Sequence, residues 1–120
     1  MAFKFATCRS LLAALTFAGG VALSQGAAAQ DADAVKHGQE VYTAQKCQMC
    51  HAIAGKGNKA NPLDGVGAKL SADDIRQWIT NPTEMTAKTK STKKPPMPNK
   101  YAKLPAADID SMVAYLSSLK

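Results

Sequence analysis

Two cysteines and a histidine, Cys47, Cys50 and His51, lie within five consecutive positions of the chain. Two cysteines separated by two residues and followed directly by histidine form the attachment pattern of a c-type haem. The two thiols can add to the two vinyl groups of the porphyrin, because one helical turn presents both sulfurs along one edge of the macrocycle. The imidazole of His51 would then lie under the iron and could supply an axial nitrogen ligand.

The pentapeptide alone leaves four other interpretations open. A structural zinc site usually needs four Cys or His ligands, but His37 is the only other histidine and there is no second cysteine pair. A thioredoxin-like redox pair would lie in a βαβ pattern, which the sequence lacks. A two-residue disulfide loop is common in exported chains, although it would constrain the unfolded chain little. A chance match stays open until the context of the motif is considered.

The elements that must position the motif are predicted to be helices. Asp33 to about Lys46 has apolar residues at three- and four-residue spacings, with Asp33 as N-cap. A short helix is predicted from Ser71 to about Thr80, with Ser71 as cap and Asn81-Pro82 as its end. A last helix begins near Pro105, and its apolar stripe consists of Ile109, Met112, Val113, Leu116 and Leu119.

Two segments show no periodicity and are predicted as loops. Gly55 to Gly67 is rich in glycine, asparagine and proline, which favours a loop rather than a strand or helix. Thr83 to Lys103 carries three of the six prolines. The sequence therefore predicts an all-α domain with long loops.

With this order of elements, the chain resembles the class I cytochrome c family. Gly38 and Tyr42 match the Gly-x-x-x-aromatic face of that family, across which Met112 and Tyr115 of the terminal helix would pass. A glycine inside a helix costs about 1 kcal/mol relative to alanine, so Gly38 needs such a packing reason. The resemblance implies the cytochrome c fold, with three main helices and long loops around one covalently attached haem c.

The resemblance also implies roles for two residues of the haem pocket. In the family, a proline shortly after the haem histidine gives its carbonyl to the second imidazole nitrogen, and Pro62 matches that position. Such a bond would orient the ring and raise its basicity as a ligand, although a proline that only shapes a turn is an alternative. Trp78 would lie against the macrocycle, since Trp-Ile-x-Asn-Pro resembles the family's haem-bordering helix; an ordinary core tryptophan is the competing interpretation.

Two methionines are candidates for the sixth ligand of the iron. Met97 lies among prolines that limit its conformations, and the Met-Pro pair followed by Tyr101 and Leu104 matches the family pattern. Met85 follows Pro82 by only three residues, which is too short a segment to cross to the opposite face of the haem. Methionine is also a common gap-filler in cores. Met97 is therefore predicted as the ligand, and His37 as a surface helix residue.

Residues 1–29 have the pattern of a secretory signal peptide. A basic start with Lys4 and Arg9 precedes the mostly apolar stretch Leu11–Leu23 and the small residues Ala27–Ala29. That stretch of thirteen residues is shorter than the ~20 that span a bilayer. We expect cleavage, export to the periplasm and one cytochrome c domain over residues 30–120, with a retained membrane anchor as the alternative.

The charge of the chain favours a protein partner that is acidic. Residues 30–120 carry 13 Lys and Arg against 9 Asp and Glu. The lysines are concentrated in one segment at Lys88, Lys90, Lys93, Lys94, Lys100 and Lys103. Such a face can steer a redox partner, an oxidase, reductase or dehydrogenase, while a merely solvated loop is the alternative. Nucleic acid is not expected as a target of an exported protein with one Trp and three Tyr.

The resemblance implies a monomeric electron carrier rather than an enzyme. Iron ligated by His51 and Met97 would change between its ferric and ferrous states without binding a substrate. Two alternatives remain open. An iron without Met97 as ligand would give a haem enzyme or gas sensor, and the domain could instead be the haem subunit of a larger dehydrogenase or reductase.

Overall fold

A computed structural model describes the backbone of residues 25–120 and the side chains of residues 31–120. Its elements are five α-helices, two 3-10 turns and a two-stranded antiparallel hairpin. In chain order they are α1 (Gln25–Ala44), a 3-10 turn (Cys47–Met49), β1 (Ala52–Ile53), β2 (Lys56–Gly57), α2 (Val66–Lys69), α3 (Ala72–Thr80), α4 (Pro82–Thr89), a second 3-10 turn (Asn99–Lys103) and α5 (Ala106–Ser118). The predicted all-α class is confirmed.

Helices α1 and α5 cross in close contact at Gly38. A Cβ atom at this position would overlap the Ser111 carbonyl and come within 2.7 Å of the Tyr115 Cβ. One turn further along α1, the ring of Tyr42 meets that of Tyr115 edge to face, with centroids 5.9 Å apart. The predicted crossing of the two terminal helices at the small residue is therefore confirmed.

A second close approach fixes α2 to the C-terminal end of α5. A Cβ atom on Gly67 would overlap the backbone of Ser117. The Gly67 N–H donates to the Leu119 carbonyl at 2.8 Å, and the Lys120 ammonium donates to the Gly67 carbonyl at 2.8 Å. These contacts join the loop after the Cys-x-x-Cys-His motif to the last residues of the chain.

The core lies where α3 packs against the pair formed by α1 and α5. Helix α3 begins as predicted, because the Ser71 hydroxyl accepts a hydrogen bond from the Asp74 N–H at 3.1 Å. Its buried residues Ile75 and Ile79 join the core cluster, whose other members are Val41, Tyr42, Tyr101, Ile109, Met112, Val113, Tyr115 and Leu116.

The predicted start of the first helix is wrong, whereas its end lies two residues before the predicted one. Asp33 is not an N-cap, because α1 begins at Gln25 and continues through it. The alanines of 27–29 are strong helix formers and extend the helix upstream. The helix ends at Ala44, since Lys46 takes a left-handed conformation with φ of 56°.

The predicted loop from Thr83 to Lys103 is wrong in part. Helix α4 begins at Pro82, directly after α3 ends at Thr80. Proline suits the first turn of a helix because its φ is already helical and its missing N–H is not needed there. Only Pro82 and Met85 of α4 are buried, so the helix leaves little periodicity in the sequence. The segment from Gly55 to Gly67 likewise contains β2 and the first residues of α2.

The predicted signal peptide, residues 1–29, lies outside the described residues except for its last five positions, which belong to α1. In the part of the chain that the structure describes, none of the helices combines the length and the apolar character needed to cross a membrane.

We expect Gly38→Ala to destabilise the protein by about 1–3 kcal/mol, because the added methyl group overlaps the Ser111 backbone. Alanine at a helix position otherwise stabilises by about 0.5–1 kcal/mol relative to glycine, so the sign of the change is diagnostic. Chemical unfolding of the mature haem protein measures it. Gln39→Ala, at the exposed neighbouring position, is the control and should change stability little. An unchanged or increased stability of the Gly38 variant would contradict the close crossing.

Candidate functional site

A cavity of about 720 Å³ opens between the motif, α3, α5 and the proline-rich segment that follows α4. Its volume is in the range of sites that hold sizeable organic ligands. Most of the wall is apolar, with contributions from Leu63, Val66, Leu70, Ile75, Ile79, Met112 and Leu116. Such a wall suits a large, mostly apolar group rather than a hydrated ion.

The cavity brings together all six residues that the sequence singles out. They are Cys47, Cys50, His51, Pro62, Trp78 and Met97. Met85 is not on the wall, and its side chain is only 4% exposed. Of the two candidate methionines, only Met97 lines the cavity that a group bound to the motif would occupy.

The 3-10 turn Cys47–Met49 presents the two thiols. The backbone N–H groups of Cys50 and His51 both donate to the Cys47 carbonyl, at 3.1 and 2.9 Å, and this winds the motif into a single turn. Cys47 is half-buried and Cys50 is exposed, and both are free thiols. Burial raises the pKa of the Cys47 thiol to about 11, so it is protonated at neutral pH.

His51 is half-buried and its ring is held by a backbone carbonyl. Its Nδ1 lies 3.2 Å from the Asn61 oxygen. A carbonyl can only accept, so Nδ1 carries the proton and Nε2 keeps its lone pair for a metal. Burial lowers the pKa of the imidazole, and the bond to Asn61 opposes this more weakly. The neutral form that a metal requires is therefore favoured at neutral pH.

The predicted acceptor of this bond, the carbonyl of Pro62, is wrong by one residue. The N–H of Leu63 donates to the Ala52 carbonyl at 2.8 Å, and the N–H of Ala52 donates to Asn61 at 3.3 Å. This parallel bridge between Ala52 and Pro62 directs the carbonyl of Asn61, the residue before the proline, toward the His51 imidazole. Pro62 itself lines the cavity and restricts the backbone of Asn61.

The hairpin of β1 and β2 and the residue after it contact the backbone of the motif, and none of the hairpin's residues lines the cavity. Gly57 has φ of 103°, and a Cβ there would overlap the His51 carbonyl. The Asn58 N–H donates to the carbonyls of Gln48 and His51, at 3.0 and 3.2 Å. Tyr42 donates to the same His51 carbonyl at 3.4 Å, and burial raises its pKa to about 12.

Three polar residues in or after α4 lie on the cavity wall and were not predicted as site residues. Thr86 lies on α4, while Ser91 and Lys93 follow it. The segment was expected to be a loop without periodicity, so nothing in the sequence indicated which of its side chains would face the cavity. The Lys93 ammonium donates to the Ala60 carbonyl at 3.3 Å and so connects this segment to the loop that holds His51.

The other histidine lies on the surface, as predicted. The exposed His37 has its Nε2 2.9 Å from an Asp108 carboxylate oxygen, which joins α1 to the first turn of α5. Within residues 31–120 no group of three or more His, Cys, Asp or Glu side chains converges. The ligands of a structural zinc site are therefore not assembled in this part of the chain.

The comparisons with known proteins agree with this geometry. Residues 35–120 match the family model described as Cytochrome c. The match extends from α1 to the last residue, and it contains the whole motif and every residue of the cavity wall. No curated protein and no solved structure matches the chain.

We expect Pro62→Ala to keep His51 oriented as the predicted axial ligand, because the acceptor of the His51 bond is the Asn61 backbone. Stability should fall by about 0.4–1 kcal/mol, since the unfolded chain becomes freer at this position. The absorption spectrum of the haem protein and its denaturant midpoint measure the two effects. Pro105→Ala, at an exposed proline in front of α5, is the matched control. Loss of the low-spin spectrum in the Pro62 variant alone would contradict the assignment.

Proposed function

Because the chain belongs to the cytochrome c family, whose c-type haem is bound covalently, we propose that it is a periplasmic one-electron carrier with His51 and Met97 as axial ligands. The observation that carries this proposal is the shared cavity. His51 and Met97 line it together with both thiols, whereas Met85 does not. A mostly apolar cavity with two free thiols and an oriented imidazole also fits the haem itself.

Different residues of the chain would attach the cofactor and orient its axial ligand. Cys47 and Cys50 would form the thioether bonds, and Asn61 orients His51. The haem supplies an iron that accepts and releases one electron. The thioether of Met97 favours the ferrous state, and the apolar wall disfavours the extra charge of the ferric site. Both raise the reduction potential within an axial-ligand range of roughly 0.8 V.

The motif also supplies the point where electrons would enter and leave. Cys50 is exposed and the Met49 side chain is 69% exposed, so the edge of the haem bound here lies near the protein surface. No bond to a substrate is needed for this reaction. We propose that the carrier is a monomer, and its location in the periplasm is supported by the signal-peptide pattern of residues 1–29.

A positive surface supports an acidic redox partner. We define this surface as the lysines of 88–103, together with Lys46, Lys56 and Lys59 beside the motif. Only Lys88 of this group has a carboxylate within 4.0 Å among the described residues, at Asp74. The other charges are not neutralised by those residues, and all of them except Lys93, whose ammonium contacts the Ala60 carbonyl, are available to orient an oxidase, reductase or dehydrogenase with an acidic face.

The ligand assignment is tested by comparing two methionine variants. Met97→Ala should abolish the weak long-wavelength charge-transfer band of methionine-ligated ferric haem and lower the reduction potential. Met85→Ala should keep the band and lower stability by about 2–5 kcal/mol, because Met85 is buried away from the cavity. Optical spectra, redox titration and chemical unfolding of the purified haem proteins measure these effects.

Retention of the band in Met97→Ala, or its loss in Met85→Ala, would show that the sixth ligand is assigned to the wrong residue. A wild-type protein that binds carbon monoxide readily in the ferrous state would instead have an open iron site. That result would favour an enzyme or a gas sensor over an electron carrier.

The partner surface is tested by neutralising one lysine at a time. Lys46→Gln removes a charge next to Cys47, and we expect electron transfer to an acidic redox protein to become several-fold slower at low salt. The difference from wild type should shrink as salt is added, because salt screens exposed charges. Lys36→Gln, on the exposed side of α1, is the control. Equal slowing by both variants would indicate an effect of net charge rather than of this surface.

A further inference from the structure

The C-terminal end of α4 folds back so that two residues with hydroxyl groups line the cavity. Lys90 takes a left-handed conformation with φ of 52°, which ends the helix. The Ser91 N–H then donates to the Thr86 carbonyl at 3.0 Å. This closing turn brings Ser91 next to Thr86, and both residues line the cavity.

Lys93 adds a positive charge to the same part of the wall. Its ammonium reaches across to the Ala60 carbonyl at 3.3 Å, the residue before the one that orients His51. The only other lysine on the wall is Lys46, beside Cys47. The charge of Lys93 has no carboxylate within 4.0 Å among the described residues. An ammonium group has three donors, and the Ala60 carbonyl is the one acceptor that the described residues provide.

Two hydroxyl groups, together with an ammonium group that has no counter-charge, form a suitable site for a carboxylate. The porphyrin of a c-type haem carries two propionate carboxylates, on the side of the ring away from the vinyl groups that Cys47 and Cys50 would bind. A carboxylate at the edge of an apolar cavity needs such partners, because burying a charge without them is costly.

We propose that Lys93, with the hydroxyl groups of Thr86 and Ser91, binds one haem propionate. The inference rests on the covalent haem of the family and does not depend on Met97 as the sixth ligand. It gives a role to the turn after α4. That turn would hold the carboxylate and would connect the proline-rich segment to the loop of His51 through the cofactor.

The test compares variants of two adjacent lysines in the complete haem protein. Lys93→Gln removes the proposed partner, Lys93→Arg keeps the charge, and Lys94→Gln removes an equal charge from an exposed residue that is not on the wall. The readout is the pH dependence of the haem methyl proton shifts in NMR spectra of the oxidised protein, which follows propionate ionisation. We expect an acid dissociation constant about tenfold lower in Lys93→Gln, and values near wild type in the other two.

The hydroxyl groups are tested with Thr86→Val and Ser91→Ala, which remove one donor each. Both should lower the same dissociation constant, by less than the loss of the charge does. These variants keep the proposal testable if Lys93→Gln yields too little folded protein. Unchanged titration in both hydroxyl variants would remove Thr86 and Ser91 from the site.

Two outcomes would overturn the proposal for Lys93. An equal shift in Lys93→Gln and Lys94→Gln would mean that the titration senses general surface charge. An unchanged titration in Lys93→Gln, with slower reaction with an acidic redox protein, would mean that Lys93 meets a partner's carboxylate instead. Neither outcome concerns the sixth ligand, because the charge-transfer band tests Met97 separately.

Discussion

The close crossing of α1 and α5 at Gly38 determines where the rest of the cavity can form. On α1, Tyr42 lies one turn after the crossing and the chain then continues to Cys47. On α5, Met112 and Leu116 each follow a residue of the crossing and line the cavity. Both sides of the site therefore depend on one interhelical distance. The contact between Gly67 and the backbone of Ser117 extends the same arrangement, because it fixes the segment after His51 to the C-terminal end of α5.

Features whose signal is local could be predicted from the sequence. The cap of Ser71 needs only Asp74 three residues on. The helix crossing at Gly38 was implied by the family resemblance, together with a glycine that needs a packing reason within a helical pattern. The six candidate site residues also line a single cavity, although their roles as ligands and pocket residues remain predictions. The Cys-x-x-Cys-His motif has a local signal, whereas Pro62 and Trp78 were singled out through the resemblance.

Features that depend on long-range register could not be predicted. The acceptor for His51 is Asn61 rather than Pro62 because a bridge between two distant backbone segments decides which carbonyl faces the ring. Helix α4 was not predicted, because it buries only two of its eight residues and therefore shows no apolar stripe. The polar residues that this helix and its closing turn bring to the cavity were missed for the same reason.

The volume of the cavity explains why covalent attachment matters for so small a domain. A mostly apolar cavity of about 720 Å³ is large for such a domain, and apolar wall left in contact with water adds nothing to a stability of only about 5–15 kcal/mol. The haem therefore supplies a large part of the hydrophobic core as well as the iron. A reversibly bound core would make stability depend on the free concentration of the cofactor. The thioether bonds that we propose at Cys47 and Cys50 would remove that dependence, so that an axial ligand such as His51 could be selected for its effect on the iron.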